Sequence, residues 1–390
     1  MRAGMEGRSR FRRRAVGVIV VLALAGAAAA LAVLARGSGA QAAAKGTVRT
    51  TYYIAAEPVR WNFAPSGRNL ITGRPFGPPE DTFVQQGPDR IGHVYWKALY
   101  RLYTDGTFRE RKSQGPGWAH LGLLGPAIHA EVGNTIKVVF LNRLPFPASI
   151  HPHGVFYDKK GECAPYADGT PGLGDAVAPG QRYTYVWKVP GRAGPGPMDG
   201  SSVLWMYHSH VDEVRDTNTG LVGPIIVTRR GLARPDGTPK DVDREFVTYF
   251  SVVNENESWL LPRNVRDFTK LRGRRASDEA LERDDEFGES NLMHSINGYV
   301  YGNLSGLVMK KGEHVRWYVM DLGTEVDLHT PHWHGNTVTA MGMRSDMLQL
   351  LPGMMMVADM VPDDPGRWLF HCHVNDHITA GMLALYTVER

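Results

Sequence analysis

The chain has 390 residues, 43% of them hydrophobic, so it is long enough for two domains that each bury a core. The formal net charge is +4, but the first 42 residues carry seven arginines and Glu6, so the remainder has a net charge of −2. This composition excludes disordered and fibrous proteins. No basic stripe interleaved with aromatic residues follows the first segment, and we expect no nucleic-acid partner.

Residues 1–45 predict a signal peptide or an N-terminal membrane anchor. Five arginines between positions 8 and 14 precede an uncharged apolar run from Ala15 to Ala35, and small residues ending in Ala40-Gln41-Ala42 follow. This is the order of an export signal with a cleavage site. The run is also just long enough to span a bilayer uncleaved. Because basic residues stay on the cytoplasmic side, we expect an extracytoplasmic protein that is periplasmic, secreted or anchored to the outer face of the membrane.

The rest of the chain predicts an all-β fold. Short runs rich in Val, Ile, Tyr, Thr and Trp recur between glycine and proline turns, as in TIKVVFLNRL, QRYTYVWKV and MLALYTVER. Such runs favour sandwiches or barrels over βαβ units. A charged, turn-rich stretch at 228–245 predicts a linker, which gives domains at 46–230 and 231–390. A second charged segment at 263–290 predicts a helical or flexible insertion with a solvated face.

The two cysteines, Cys163 and Cys372, are too few for a disulfide framework in an oxidising compartment. Cys372 lies between two histidines, which indicates that its thiol has a specific role other than disulfide formation. Cys163 has no such neighbours, and we expect it to be an inert free thiol near the mouth of the first domain.

Ten of the fifteen histidines fall into four short clusters, two in each predicted domain. A single histidine is more often a core or surface residue than a ligand, but four clusters of this kind indicate metal binding. The clusters are HPHG at 151–154, YHSH at 207–210, HTPHWHG at 329–335 and HCHVNDH at 371–377.

The spacing within the clusters predicts two kinds of metal centre. Side chains two residues apart on a strand share a face, so each His-x-His pair points both imidazoles the same way. One set therefore comprises His151, His153, His208, His210, His332, His334, His371 and His373. His329 and Cys372 have the opposite parity and face a second site, to which His377 also contributes.

The second set is typical of a blue-copper electron-transfer site. Two histidines and a thiolate, with Met382 as a weak axial partner, provide its His2Cys plus Met ligation. A structural zinc site closes with four ligands and has no use for eight imidazoles. A cysteine nucleophile would require one histidine base rather than ligands on both sides. We therefore expect copper, with Cys372 passing electrons through His371 and His373 to the other set.

The four clusters, in order, resemble the copper-binding signatures of the multicopper oxidases. Further stretches such as GLLGPAIHAEVGNTIKVVF, YHSHVDEVRDTNTGLVGPIIV and HSINGYVYGNLSGL resemble the A-type cupredoxin domains of ceruloplasmin, hephaestin and coagulation factors V and VIII. The resemblance covers residues 49–390 approximately. It implies two cupredoxin-like Greek-key β-sandwich domains, where ceruloplasmin has six.

The resemblance implies four copper ions per chain and an enzyme that reduces dioxygen to water. Its type 1 ligands would be His329, Cys372, His377 and Met382. Its type 2 ligands would be His151 and His332. Its type 3 ligands would be His153, His208, His210, His334, His371 and His373. Since every position holds the expected residue, the resemblance favours an oxidase over the binding scaffold of the clotting factors.

The resemblance also implies ferrous iron as the electron donor, oxidised beside the type 1 copper. Glu289, His294 and Asp376 match the residues implicated there, and carboxylate oxygens with an imidazole suit iron. Two simpler interpretations stay open, in which Asp376 only orients His377 and Glu289 is a solvated loop residue.

Three other functions remain open. Seven methionines between positions 341 and 360 are soft ligands for cuprous copper and would suit a cuprous oxidase, although methionine also fills cores. An open type 1 edge would suit a laccase that oxidises phenols. A copper-binding scaffold without turnover is the non-enzymatic alternative.

The resemblance finally implies a homotrimer. A two-domain chain can reproduce the ring of ceruloplasmin only as a cyclic trimer, with each trinuclear cluster between the first domain of one subunit and the second domain of its neighbour. Glu325 would then reach the iron site of the adjacent subunit as an entry carboxylate. The alternative for Glu325 is a solvated loop residue.

Overall fold

The computed structural model describes residues 48–169, 172–324 and 326–390. The predicted signal or anchor segment and Glu325 lie outside the described residues. Within the described ranges, no helix combines the length and the apolar character that a membrane crossing requires.

Ten strands in the N-terminal half of the described chain form two four-stranded sheets and a short hairpin. In chain order they are β1 (Val48–Asn62), β2 (Arg68–Asn69), β3 (Arg74–Pro75), β4 (Val94–Tyr103), β5 (Ile128–Glu131), β6 (Thr135–Asn142), β7 (His151–Pro152), β8 (Arg182–Lys188), β9 (Ser202–His208) and β10 (Val222–Thr228). The sheets have the orders β4-β1-β6-β8 and β5-β10-β9-β7. Side chains of both sheets, among them Val138 of β6 and Ile225 of β10, share one buried core, so the sheets form a sandwich.

The C-terminal half contributes ten further described strands. They are β11 (Arg244–Asn254), β12 (Leu292–Ile296), β13 (Val308–Lys310), β14 (Val315–Asp321), β15 (Pro331–Trp333), β16 (Val338–Ala340), β17 (Met343–Ser345), β18 (Met355–Met360), β19 (Gly366–Cys372) and β20 (Leu383–Glu389). Their sheets have the orders β12-β11-β14-β18-β16-β17 and β13-β20-β19-β15. Trp317 of β14 and Phe370 of β19 meet in the core of this second sandwich.

The two sandwiches repeat one topology. In one sheet of each sandwich, β1 pairs in parallel with β6 as β11 does with β14. In the other sheet, β5 pairs in parallel with β10 as β13 does with β20. Strands β7 and β9 therefore correspond to β15 and β19, and these four strands carry or precede the histidine clusters.

Helices are short in the described ranges. They are α1 (Asp81–Val84), α2 (Glu213–Thr219), α3 (Leu261–Phe268), α4 (Asp278–Glu282), α5 (Asp285–Ser290) and α6 (Asn375–Ala380). Short 3-10 helices lie at Pro116–Leu121, Lys159–Gly161, Gly191–Ala193, Glu255–Glu257 and Gly273–Ala276. Helices α3, α4 and α5 and one 3-10 helix occupy most of the 263–290 segment, in agreement with the helical alternative of its prediction. Helix α2 follows the histidine cluster at the end of β9, and α6 follows His373 and includes His377.

A third buried cluster joins the two sandwiches. Leu99 of β4 and Leu204 of β9 pack in one cluster with Val247 of β11 and Tyr318 of β14. The two sandwiches therefore pack against each other through a shared buried core.

Candidate metal centres

His329, Cys372 and His377 meet in the interior of the second sandwich, and all three are buried. Cys372 ends β19, His377 lies in α6, and His329 precedes β15. The Nδ1 atoms of His329 and His377 lie 3.1 Å from each other and 3.7 Å and 3.6 Å from the Cys372 sulfur. An ion with bonds of about 2.0 Å to nitrogen and about 2.3 Å to sulfur fits such a triangle. Two imidazoles and one cysteine sulfur are the donor set of blue-copper sites.

Two buried carboxylates lie behind His329. Its Nε2 is 3.3 Å from Asp327 Oδ1 and 3.7 Å from Asp321 Oδ1. A proton on Nε2 that is shared with Asp327 leaves Nδ1 free to bind a metal. Burial, together with the charge of Asp327, raises the pKa of Asp321 to about 9. Sequence reasoning missed both aspartates, because no local motif marks them.

Met382 is fully buried and is tied to the same three-residue arrangement by its backbone. Its N–H donates to the His377 carbonyl at 2.9 Å, and its own carbonyl accepts from the Cys372 N–H at 3.2 Å. Gly381 makes the turn between them at a φ of 110°, and a Cβ there would lie 2.9 Å from the ring of Tyr301. Only glycine fits this turn without strain. The spacing of Cys372, His377 and Met382 is thus set by one helical turn and its cap.

The N–H of Thr330 donates to the Cys372 sulfur at 3.4 Å. Burial raises the pKa of this thiol, and the hydrogen bonds from Thr330 and Val374 partly oppose the shift. A cation between the sulfur and the imidazoles would deprotonate the thiol, because a metal-bound cysteine is a thiolate.

The other eight clustered histidines form two groups of four. The N-terminal quartet is His151, His153, His208 and His210, and the C-terminal quartet is His332, His334, His371 and His373. Ring centroids within the N-terminal quartet lie 5.1 to 5.6 Å apart in the contacting pairs, and those within the C-terminal quartet 4.5 to 5.5 Å. Across the ranges that the structure describes, no ring contact or hydrogen bond joins a histidine of one quartet to a histidine of the other.

Backbone carbonyls orient three imidazoles of the quartets, those of His151, His208 and His371. The Nδ1–H of His151 donates to the Glu162 carbonyl at 2.5 Å, and that of His371 donates to the Cys372 carbonyl at 2.6 Å. These tautomers leave Nε2 available for a metal. Burial lowers the pKa of His208 and of His371 to about 4 in each case. Both imidazoles are therefore neutral at neutral pH, which is the form that can bind a metal.

His294 lies beside the buried site. Its ring centroid is 5.2 Å from that of His377, and burial, followed by the charge of His377, lowers its pKa to about 4. The charge of exposed Asp376 opposes this lowering of the pKa of His294. Glu289 is exposed on α5, and no described hydrogen bond or ion pair joins it to His294 or Asp376. The structure thus brings the His294 ring to His377, the residue that follows Asp376 in the chain.

The expectation that Cys163 lies near the mouth of the first domain is wrong. Cys163 is fully buried in the core of the first sandwich, and its thiol donates to the Gly161 carbonyl at 3.0 Å. Burial raises the pKa of the thiol far above its usual range. The carbonyl of Cys163 accepts from the Ser149 hydroxyl at 3.0 Å, so this segment supports the loop before His151.

Comparison with protein families gives two matches. Models described as multicopper oxidase match residues 118–231 and 279–390. Among curated relatives, ferroxidase HEPHL1 of Homo sapiens is 43% identical over 352 residues, hephaestin of Rattus norvegicus 41% over 355, and ceruloplasmin of Mus musculus 44% over 347. These alignments cover 87 to 88% of this chain and 30 to 32% of the relatives. The chain thus spans about a third of the length of the curated relatives it matches.

Solved structures share the fold. A crystal structure of a multicopper oxidase superposes with a TM-score of 0.52 at 18% identity, covering 87% of this chain and 88% of that chain. Blue copper oxidase from Nitrosomonas europaea superposes with a TM-score of 0.51 at 19% identity, covering 87% and 85%. Together with the strand content, these neighbours confirm the predicted all-β, cupredoxin-like fold class.

Proposed function

This chain belongs to the multicopper oxidase family, and we propose that it is a copper-dependent oxidoreductase that couples one-electron oxidation of a donor to the reduction of dioxygen to water. The position of Cys372 carries the proposal. Its sulfur faces the Nδ1 atoms of His329 and His377, while its two neighbours belong to the C-terminal quartet. Bound copper would supply the one-electron carriers at both ligand sets.

Bonds of the chain itself connect the two ligand sets. Each imidazole next to Cys372 is joined to its sulfur through one peptide unit. The hydrogen bond from His371 Nδ1–H to the Cys372 carbonyl, at 2.6 Å, adds a shorter connection to one of them. Cys372 therefore links the donor side of the protein to the dioxygen side without a mobile carrier.

We propose ferrous iron as the donor, bound beside His377. His294 and Asp376 offer an imidazole and a carboxylate next to that ligand, and this combination suits iron. Ferroxidase HEPHL1, one of the relatives, is named for this activity. Steady-state rates of the copper-loaded protein on ferrous iron, cuprous copper and a phenol decide the donor. The highest kcat/KM is expected for ferrous iron, and rapid turnover of the phenol without turnover of iron would reassign the protein to laccase activity.

Cuprous copper is a second candidate because methionines are exposed on the second sandwich. Met341 is 59% exposed, Met343 68% and Met347 37%. Thioethers prefer cuprous copper to ferrous iron. Replacing all three by leucine should lower the rate with cuprous copper and leave the rate with ferrous iron unchanged if cuprous copper enters there.

We propose that the active assembly is a homotrimer. Each chain supplies two quartets that do not contact each other, so a complete set of eight histidines requires a second copy. A heterologous contact forms a closed ring when its rotation closes, and the resemblance to the six domains of ceruloplasmin supports a ring of three two-domain chains. Exposed apolar side chains support it, because Val214 follows the N-terminal quartet and Leu328 precedes the C-terminal one, at 53% and 49% exposure. In this assembly His151 and His332 would hold the type 2 copper, and the six other quartet histidines the type 3 pair.

Glu325 gives the trimer a specific test. In the proposed ring it would act as an entry carboxylate at the neighbour's iron site, beside that site's Glu289. Glu325→Ala and Glu289→Ala chains, unfolded and refolded together, would form some sites with both carboxylates intact. Ferroxidase activity above the mean of the two parents is expected, with phenol oxidation as the control. No rise, or a monomer by light scattering with full copper content, would contradict the shared site.

A further inference from the structure

The first sandwich contains a position that matches the buried site of the second, contact by contact. The N–H of Thr330 donates to the Cys372 sulfur at 3.4 Å, and the N–H of Ser149 donates to the Ser209 hydroxyl at 3.0 Å. In the second sandwich the N–H of His373 donates to the Thr330 hydroxyl at 3.1 Å. In the first sandwich the N–H of His210 donates to the Ser149 hydroxyl at 3.0 Å. Ser209 therefore occupies the place of Cys372.

Helices α2 and α6 extend the match. In the first sandwich the carbonyl of Asp216 accepts from the N–H of the glycine that ends α2, at 3.2 Å, and from that of Leu221, at 3.0 Å. In the second sandwich the carbonyl of His377 accepts from the N–H of the glycine that ends α6, at 3.1 Å, and from that of Met382, at 2.9 Å. Asp216 thus takes the place of His377, and Leu221 that of Met382.

The fourth ligand position is Ala148. It exchanges two backbone hydrogen bonds with Val177, as His329 does with Leu350. The first sandwich therefore has alanine, serine, aspartate and leucine where the second has histidine, cysteine, histidine and methionine. Since the thiolate and both imidazoles are replaced, this position has lost the donor set of a blue-copper site.

Asp216 fills the position with hydrogen bonds. Its buried Oδ2 accepts from the Ser209 hydroxyl at 2.6 Å, from the Val211 N–H at 3.0 Å and from the Asp212 N–H at 3.2 Å. Its Oδ1 accepts from the indole N–H of Trp259 at 2.9 Å. Four donors therefore converge on one carboxylate, and three of them come from residues 209–212.

We propose that Asp216 is a positioning residue for His208 and His210. Residues 209–212 include His210 and directly follow His208, so the carboxylate holds both imidazoles of the N-terminal quartet through the backbone between and beyond them. Hydrogen bonds to a carboxylate are stronger than those between neutral groups. Asp216 thus orders the histidine loop of the first sandwich from the position that corresponds to His377 in the second sandwich. The inference rests on the proposed function only for the identity of the ion that the quartet binds.

The test compares Asp216→Asn and Asp216→Ala with the control Asp212→Asn in the full chain. Asp212 caps α2 by accepting from the Arg215 N–H, a role that asparagine also fills. Asparagine at 216 keeps the shape but has one acceptor oxygen for four donors. In the copper-free protein, amide hydrogen exchange at 211 and 212 should be at least about tenfold faster in both Asp216 variants, as the loss of one hydrogen bond to a charged group predicts. The control should exchange at the normal rate.

After copper loading, both Asp216 variants should keep the blue absorption of the Cys372 site, while the type 3 pair that His208 and His210 would help to hold loses copper or its magnetic coupling. Copper analysis and the appearance of a new electron paramagnetic resonance signal measure this loss. Unchanged exchange with an unchanged copper content and resonance spectrum would overturn the proposal. Equal loss of the blue absorption would also overturn it, because Asp216 would then support the whole chain rather than one quartet. A wild-type protein that binds no copper would refute the proposed function, and the exchange result would still decide the role of Asp216.

Discussion

The Nδ1 atoms of His329 and His377 lie 3.1 Å apart, although 48 positions separate the two residues in the sequence. Both atoms face the Cys372 sulfur, and all three donors are buried. Burial, followed by the charge of His329, lowers the pKa of His377 and so favours the neutral imidazole that metal binding requires. A cation between these atoms would relieve the repulsion of their lone pairs, and this arrangement leads to the first prediction.

Replacing Cys372 by serine should abolish the blue colour of the copper-loaded protein and its oxidation of any donor. A hydroxyl cannot supply the thiolate that a His2Cys site requires, whereas both quartets remain unchanged. Visible absorption and copper analysis measure the effect. The matched control is Cys163→Ala, whose buried sulfur lies in the other sandwich, and it should keep the colour and turn over within a few-fold of normal. A Cys372→Ser protein that stayed blue would contradict the assignment of Cys372 as the copper-binding thiolate.

Replacing His294 by alanine should reduce kcat/KM for ferrous iron by about tenfold or more, the effect of losing roughly 1.4 kcal/mol of interaction with the donor. The rate with a phenol should change little, because a phenol does not need an imidazole ligand. His314→Ala is a suitable control, since His314 bonds to Asp241 and not to a ligand of the buried site. Equal losses with iron and with the phenol would indicate that His294 only supports His377.

The buried pair of Lys97 and Glu255 is expected to dominate stability at the boundary of the sandwiches. Both side chains are 0% exposed, and Lys97 Nζ lies 2.5 Å from Glu255 Oε1. Burial raises the pKa of Glu255 to about 7 and lowers that of Lys97. Lys97→Met should reduce the free energy of unfolding by about 3–5 kcal/mol, because it leaves a buried carboxyl without its partner. Denaturant unfolding should show a smaller loss of free energy for the double variant Lys97→Met/Glu255→Leu than for Lys97→Met alone. A loss in the double variant equal to the sum of the two single losses would contradict the coupling.

His120 should make stability depend on pH. Its Nδ1–H donates to the Gly117 carbonyl and its Nε2 accepts from the Val247 N–H, each at 3.0 Å, and burial lowers its pKa to about 4. The unfolded chain therefore binds more protons between about pH 6.5 and pH 4. The contribution of neutral His120 to the free energy of unfolding is complete above this pH window. It is lost as the pH falls through the window, by up to about 3 kcal/mol. Unfolding of the copper-free protein at pH 7 and pH 5 should show a smaller pH effect in His120→Gln, and equal slopes would contradict the assignment.

Features that depend on neighbouring residues could be predicted from the sequence. Side chains alternate along a strand, so the opposite directions of Cys372 and its flanking histidines follow from spacing alone. The five-residue intervals from Cys372 to His377 and on to Met382 also agree with the helical turn and the glycine cap that the structure contains. Likewise, the recurring β-rich runs and turn residues were sufficient for the all-β fold class.

Contacts between distant residues were decided by the tertiary structure alone. The sequence did not indicate that Asp327 would stand behind His329, that Asp216 would collect donors from three residues of one loop and from Trp259, or that Cys163 would be buried. Alternation and capping act over a few residues, whereas these contacts require the two sheets of a sandwich, or the two sandwiches, to pack. Lys97 and Glu255 are 158 positions apart, and only the closed boundary between the sandwiches removes water from both and makes their pairing matter.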